Sequence, residues 1–560
     1  MGEIFNACEY LLDRRVAAGD GDRIALTGLA GDLTYAQLLD RVQRTAAALA
    51  GIGLQPEQRL VMFMVDSPEF VTVYLAAMRM GAVPVPVSTM LHADGLAELL
   101  RDSRARLLAI TPEFAAKAAR AAAAAPELSG VLAPADAGLS LAGTGPALSV
   151  PVHDLSALAA AEAPDEAVYP STADSPAFWL YTSGTTGEAK AAMHRHGSVR
   201  VVCETYGTQV LGIRPGDRCL SAAKAFFAYG LGNSLLFPLS VGAAAVLEAA
   251  PAKPDQIVAR AAQFGATLFF AGPTFFANML RADLPADALA GVRLAASAGE
   301  ALPAALYSRW TSRFGIDILD GIGMTELLHI FLSNREGQVR PGTTGVAVPG
   351  YDLRILDETG RRTPPGTPGT LYVSGASAAT GYWSRYDASR QVFQGEWLRT
   401  GDTYVLDADG YYSCLGRTSD MLKASGMWVA PAEVEARLLT HDAVAQAVVV
   451  AGHDADGLEK PVAYVVLRPG CRASETELVG FCRDGLPAYK RPRRVVFVDG
   501  YPTTATGKVR RVELRVMATT VLAEDAGPAE KSGLAEEAGL AEEAGPAETA
   551  GLAETHNAAP

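Results

Sequence analysis

Tyr181-Thr-Ser-Gly-Thr-Thr-Gly-Glu-Ala-Lys190 follows the apolar run Ala177-Phe-Trp-Leu-Tyr181. The run is short and rich in aromatic residues, the pattern of a strand. In the loop after it, Gly184 and Gly187 let backbone N–H groups approach a polyphosphate. Ser183, Thr185 and Thr186 add hydroxyl donors and Lys190 adds positive charge. The spacing is not that of a Walker P-loop, G-x-x-x-x-G-K-[ST].

Outward from this loop, strand-like runs alternate with helical periods. RLVMFMV (59–65) is followed by the helical FVTVYLAAMRMG (70–81) and by VPVPVS (83–88), which predicts α/β units around largely buried sheets. The alanine-rich segment 113–148 is expected to form surface helix and loop. Short strands are expected around Gly401–Gly416, with Asp409-Gly410 marking a hairpin. Past Ser419 the pattern changes to a compact module: helix AEVEARLL, strand AVVVAG, strand PVAYVVL, helix ETELVGFCRDGL and strand RRVVFVD. The predicted organisation is a large multi-lobed α/β domain over 1–418, a small α+β domain over 419–517, and an acidic low-complexity tail over 518–560. That tail repeats a G-[LP]-A-E-x-A unit from Gly527, with glycine too frequent for a helix and almost nothing to fill a core.

Residues 521–560 hold nine acidic side chains and one lysine, so −8 of the net charge of −14 lies there and the first 520 residues carry only −6. Acidity argues against a nucleic-acid binder. No apolar run approaches the roughly 20 residues that span a bilayer, and the N-terminus lacks a basic start with a continuous apolar core. The six cysteines (8, 203, 219, 414, 471, 482) form no C-x-x-C pair. A cytoplasmic enzyme with reduced thiols is expected.

The chain resembles the adenylate-forming superfamily of acyl-CoA synthetases, peptide-synthetase adenylation domains and luciferases. The resemblance rests on the loop 181–190 and on SAGEAL (297–302), DGIGMTE (320–326), WLRTGD (397–402), GRTSDMLKASGMWVAPAEVE (416–435) and PTTATGKVRR (502–511), in that order. FFAYGLGNSL (226–235) and DGIGMTELLHIFLSN (320–334) are similar to the benzoate-type aryl-CoA ligases. The implied activity is ATP-dependent ligation of an aromatic acid to coenzyme A through an aryl-AMP, with release of AMP and pyrophosphate. The alternative is an aryl-adenylating enzyme that loads a separate carrier protein. ATP, Mg²⁺ and CoA are the implied cofactors and co-substrates, and a homodimer is compatible with the family.

The chemistry explains why such residues recur. A carboxylate is a poor acyl donor because oxide would have to leave; an acyl-adenylate has AMP as its leaving group instead. Forming it brings two anions together, so cations must screen them. The resemblance assigns Glu326 to Mg²⁺ and Thr325 to the α-phosphate. It assigns Asp402 to the ribose hydroxyls, Arg417 to ribose or phosphate, and Lys508 to catalysis of adenylation. Thr182, Ser183, Gly184, Thr185, Thr186, Gly187 and Lys190 form the phosphate loop. Ala298, Gly299, Glu300, Asp320, Gly321, Ile322 and Gly323 complete the ATP site. Lys423 and Ser425, Gly426, Met427 and Trp428 belong to the face used in thioester formation with CoA. Ser419 takes the hinge position, where many CoA-ligase relatives carry Asp. Serine still permits backbone rotation, and Asp420 follows it.

An amino-acid-activating relative would need an acid in the aromatic motif to pair with the substrate ammonium, but 226–230 has none. A neutral carboxylic acid is therefore expected. The resemblance to benzoate-type ligases implies that Phe227, Ala228, Tyr229 and Gly230 of the aromatic motif, with His329 and Ile330, line its pocket. Ala228, Gly230, Gly232, Gly321 and Gly323 are expected to leave a slot for a flat ring. Benzoate, a hydroxylated or aminated benzoate, and a naphthoate all remain open. His194 and His196 have no third ligand at a sensible spacing and read as structural.

Overall fold

Short, largely apolar runs become parallel strands when both faces are covered, because such strands need no polar alternation. The computed structural model has six parallel strands at the centre of its largest sheet. Their order is Ile24–Gly28, Ala244–Leu247, Arg218–Ser221, Leu268–Ala271, Leu294–Ser297 and Ile318–Gly323, each parallel to the next. Antiparallel Leu33–Thr34 closes one edge, and Ile330–Ser333 with Val346–Ala347 closes the other, giving nine strands. A second, five-stranded parallel sheet contains the predicted Arg59–Phe63 and Val83–Pro86.

The predicted helix over 70–81 runs from Pro68 to Arg79, capped by the Ser67 hydroxyl with Pro at the first turn. It ends before Gly81, whose φ of +78° suits glycine; a Cβ there would also meet the Tyr169 ring at 2.4 Å. Arg79 is buried at 1% exposure, and its guanidinium is neutralised by Asp13 at 2.7 Å.

The structure describes residues 3–134, 137, 150–183, 189–424, 427–454, 457–503 and 509–524. Its contacts divide the chain into two units, Met1–Ser419 and Asp420–Pro560. The larger also holds an antiparallel sheet of Tyr351–Leu356, Gly369–Gly375, Phe393–Gln394, Trp397–Leu406 and Tyr412–Arg417, with the Asp409-Gly410 turn between the last two. In the smaller, Val444–His453 pairs antiparallel with Glu459–Leu467, which pairs parallel with Arg494–Phe497. Helices Pro431–Leu439 and Glu475–Arg483 accompany them.

Two expectations need correction. The alanine-rich segment is more than surface helix and loop: in helix Ala115–Ala122, Ala118, Ala119, Ala121 and Ala122 are buried, and Gly130–Leu132 is a strand of the five-stranded sheet. Alanines can form an apolar face where neighbours pack close. The last helix, Arg511–Glu524, passes the expected end of the small domain at 517. Leu514, Ala518 and Leu522 recur every fourth residue and pack with Val448, Val450, Val462 and Tyr464. Among the described residues no helix is long and apolar enough to cross a membrane.

Candidate active site

Ligands of open α/β sheets sit beyond the carboxyl ends of the strands. Leu294–Ser297 and Ile318–Gly323 run side by side, with Ser297 opposite Asp320. Their carboxyl ends therefore bring SAGEAL and DGIGMTE together from 23 positions apart in sequence. Ala298 is buried, Gly299 takes φ +97°, and exposed Glu300 accepts from the Thr274 hydroxyl at 3.2 Å. Asp320 is 5% exposed, and burial pushes its carboxyl well above the usual range.

Past Gly323 the chain makes a 3₁₀ turn, Thr325–Leu327, and reverses into Ile330–Ser333. Leu328 carries the reversal at φ +69°, ψ −45°, an uncommon conformation for a leucine. The turn is tied from several directions. His194 Nε2–H donates to the Thr325 carbonyl at 2.8 Å, the Ala379 N–H donates to the Glu326 carbonyl at 2.8 Å, and the Tyr382 hydroxyl donates to Glu326 Oε1. Glu326 itself is buried. His194 is thus structural, as expected, and its partner is the turn that holds the candidate residues Thr325 and Glu326.

Strand Pro176–Ser183 forms an antiparallel hairpin with Ala189–Arg195, with Thr182 opposite Lys190. The Tyr181 hydroxyl donates to Asp102 at 2.6 Å. The same carboxylate accepts from Arg385 at 2.8 Å, and the Asp102 carbonyl accepts from the Trp383 indole at 2.9 Å. Lys190 Nζ lies 5.9 Å from the centre of the Tyr382 ring. Gly184, Thr185, Thr186 and Gly187, along with Ser425, Gly426 and Lys508, lie outside the described residues, as do the side chains of Ser183, Lys423, Met427 and Trp428.

Asp402 and Arg417 are cross-strand partners, 3.1 Å apart, with Asp402 buried and Arg417 half exposed. Burial, with help from Asp402, pushes the neighbouring Cys414 thiol up to about 11.

The aromatic motif enters as Phe226 and Phe227, edge to face at 4.5 Å, followed by a short helix from Ala228 to Leu231. The Tyr229 hydroxyl donates to the Ala296 carbonyl at 2.9 Å, tying the helix to the central sheet. His329 donates through Nε2 to the Tyr229 carbonyl at 3.2 Å and packs edge to face on Phe237. Its Nδ1 has no hydrogen-bond partner among the described residues. Burial holds His329 down at about 3, so the ring is neutral. Ile330 is buried beside it.

The glycines do not leave the slot expected of them. A Cβ on Gly232 would meet the His329 ring at 2.4 Å, and one on Gly230 would meet the Lys224 carbonyl at 2.0 Å. Gly323 is closed by the His329 carbonyl at 2.6 Å and Gly321 by Ile330 at 2.9 Å. They are required for close packing of backbone and imidazole, and the room they provide is already taken.

Several positioning residues carried no motif signal. Asp66 accepts from the Ala225 N–H at 3.1 Å, and Lys224 Nζ donates to the Ala250 carbonyl at 2.6 Å, which fixes the start of the aromatic motif. Asp102, Asp66 and Tyr382 act across sequence separations of 79, 159 and 56, where local patterns are silent.

Asp320 and the Thr325–Glu326 turn at the end of a central parallel strand, with the Tyr229–His329 aromatic pair beside them, suit the resemblance to an adenylate-forming enzyme. The chain belongs to the AMP-binding enzyme family: residues 13–383 match that family and 433–508 match the AMP-binding enzyme C-terminal domain. Within it, the chain is similar to the benzoate–CoA ligase of Thauera aromatica, 42% identical over 519 residues that cover 92% of this chain and 96% of that one. A crystal structure of a benzoate–CoA ligase from Burkholderia xenovorans superposes with a TM-score of 0.83 at 40% identity, over 91% of this chain and 100% of that one. An anthranilate–CoA ligase solved with anthranoyl-AMP gives 0.84 at 35% identity, over 93% and 98%. It is a benzoate–CoA-ligase-like adenylate-forming enzyme.

Proposed function

We propose that the chain is an ATP-dependent aryl-acid:CoA ligase acting in two steps. The observation that supports this most is the juxtaposition at one sheet end of the Thr325–Glu326 turn with the Tyr229–His329–Ile330 cluster. The turn suits a phosphate-handling role, and the cluster beside it offers uncharged rings to an aryl acid. In the first step an oxygen of the aryl carboxylate attacks the α-phosphorus, an O–P bond forms, and the bond to the leaving pyrophosphate breaks. In the second step the CoA sulfur attacks the acyl carbon, a C–S bond forms, the C–O bond to AMP breaks, and the thiol proton goes to solvent.

The phosphate loop Thr182–Lys190 grips the polyphosphate, and the Thr325 hydroxyl donates to the α-phosphate. Asp402, steadied by Arg417, accepts from the ribose hydroxyls. Glu326 suits a hard cation. It supplies carboxylate oxygen, the donor that Mg²⁺ takes when it is held by one or two carboxylates and the substrate phosphates. When bound, Mg²⁺ supplies charge neutralisation. Lys508 stabilises the charge that develops during adenylation. The small domain then turns about Ser419, bringing Lys423 and Ser425–Trp428 to the acyl-adenylate. The substrate class is benzoate or a substituted or fused-ring analogue.

Adenylation is tested apart from CoA by exchange of labelled pyrophosphate into ATP. Benzoates should stimulate exchange without CoA, in a Mg²⁺-dependent manner, and fatty acids should not. Exchange driven equally by fatty acids would contradict an aryl-acid site.

A further inference from the structure

Both ends of Glu326 are tied to one short segment. Its carbonyl accepts from the Ala379 N–H at 2.8 Å and its Oε1 accepts from the Tyr382 hydroxyl. Tyr382 is itself firmly placed. Its N–H donates to the Ser389 hydroxyl at 3.0 Å, and it forms a β-bridge with Ala192 of the phosphate-loop hairpin. Its ring packs edge to face on Phe393 at 5.4 Å, and it is buried at 7% exposure. Lys190 Nζ lies 5.9 Å from the ring centre, within reach of a cation–π attraction. One side chain therefore faces the phosphate-loop lysine with its ring and bonds the turn carboxylate with its hydroxyl.

We infer that Tyr382 is a positioning residue for adenylation: its hydroxyl holds one oxygen of Glu326 and leaves the other to face a divalent cation, while its ring keeps Lys190 beside the same phosphates. The inference rests on Glu326 as the cation ligand. Partners of metal-ligating carboxylates fix the orientation in which the ligand is offered. Without the hydroxyl, the buried carboxylate loses its fixed rotamer and cation binding must order it afresh.

Tyr382→Phe keeps the ring and deletes only the hydroxyl. The Mg²⁺ concentration giving half-maximal pyrophosphate exchange should rise on the order of 10-fold or more. Calorimetric binding of ATP at fixed, subsaturating Mg²⁺ should weaken in parallel. Conversion of supplied aryl-AMP and CoA to thioester should be unchanged, which a general structural defect would not spare. Combined with Glu326→Gln, the substitution should add little further loss, because both act on the same contact. An unchanged Mg²⁺ requirement in a Tyr382→Phe protein that melts like its parent, or fully additive losses in the double variant, would overturn the assignment. The calorimetric arm needs no turnover. Absence of acid-dependent exchange in the unaltered protein would therefore count against the proposed function and leave the Tyr382 assignment to be judged on binding.

Discussion

His194, His196 and His329 are buried and each engages one ring nitrogen: His194 with the Thr325 carbonyl, His196 as acceptor from the Ala7 N–H, His329 with the Tyr229 carbonyl. Burial lowers them to about 4, 4 and 3. Below about pH 6.5 the unfolded chain binds protons that these folded rings refuse. Their contribution to stability is present above that pH and falls as the pH drops toward 4. Buried Asp66, pushed up to about 6, pulls the other way by binding its proton more readily when folded. A differential measurement separates the two. Urea unfolding of the parent and of His196→Gln should show a stability gap that narrows by about 1.4 kcal/mol per pH unit as pH falls from 6.5 toward 4. A gap independent of pH would contradict the burial of a neutral His196. At this scale sequence could name residues within strings, such as Thr325 and Asp402. It had no means of naming Asp102, Asp66 or Tyr382, each a common residue type whose partner lies far along the chain.

Elements were more legible than contacts. The apolar runs at 59–65 and 83–88 and the helical period at 70–81 predict their structures because each is long and uniform enough for one periodicity to dominate. The hairpin at Asp409-Gly410 follows from turn chemistry. The alanine-rich segment misled because alanine suits both an exposed helix and a closely packed face; only its neighbours decide. The glycines of FFAYGLGN and DGIG misled in another way. A missing side chain can leave a space or admit a neighbour, and here a carbonyl, an isoleucine or the His329 ring fills each position. Gly232 and Gly323 therefore serve close packing rather than open space. Orientation of the Glu326 turn was also hidden, because its anchors, His194 and the 379–382 segment, come from two other elements.

Across the whole molecule, the division into Met1–Ser419 and Asp420–Pro560 separates the candidate nucleotide and acid groups from the unit that contains Lys508. If the two half-reactions use the small unit in different ways, damage to one need not touch the other. Lys508→Ala should lower benzoate-dependent adenylation by roughly 10²-fold or more, as loss of an electrostatic transition-state contact does. Formation of thioester from supplied aryl-AMP should survive. Equal loss in both half-reactions would contradict two uses of that unit.

The central claim, that an aromatic acid is joined to CoA through its adenylate, is tested most directly by mass-spectrometric analysis of products. The protein is incubated with ATP, Mg²⁺, CoA and a mixed panel of benzoates, naphthoates and fatty acids. A dominant aryl-CoA with matching AMP and pyrophosphate is expected. AMP and pyrophosphate without any CoA thioester, or fatty acyl-CoA as the main product, would contradict it.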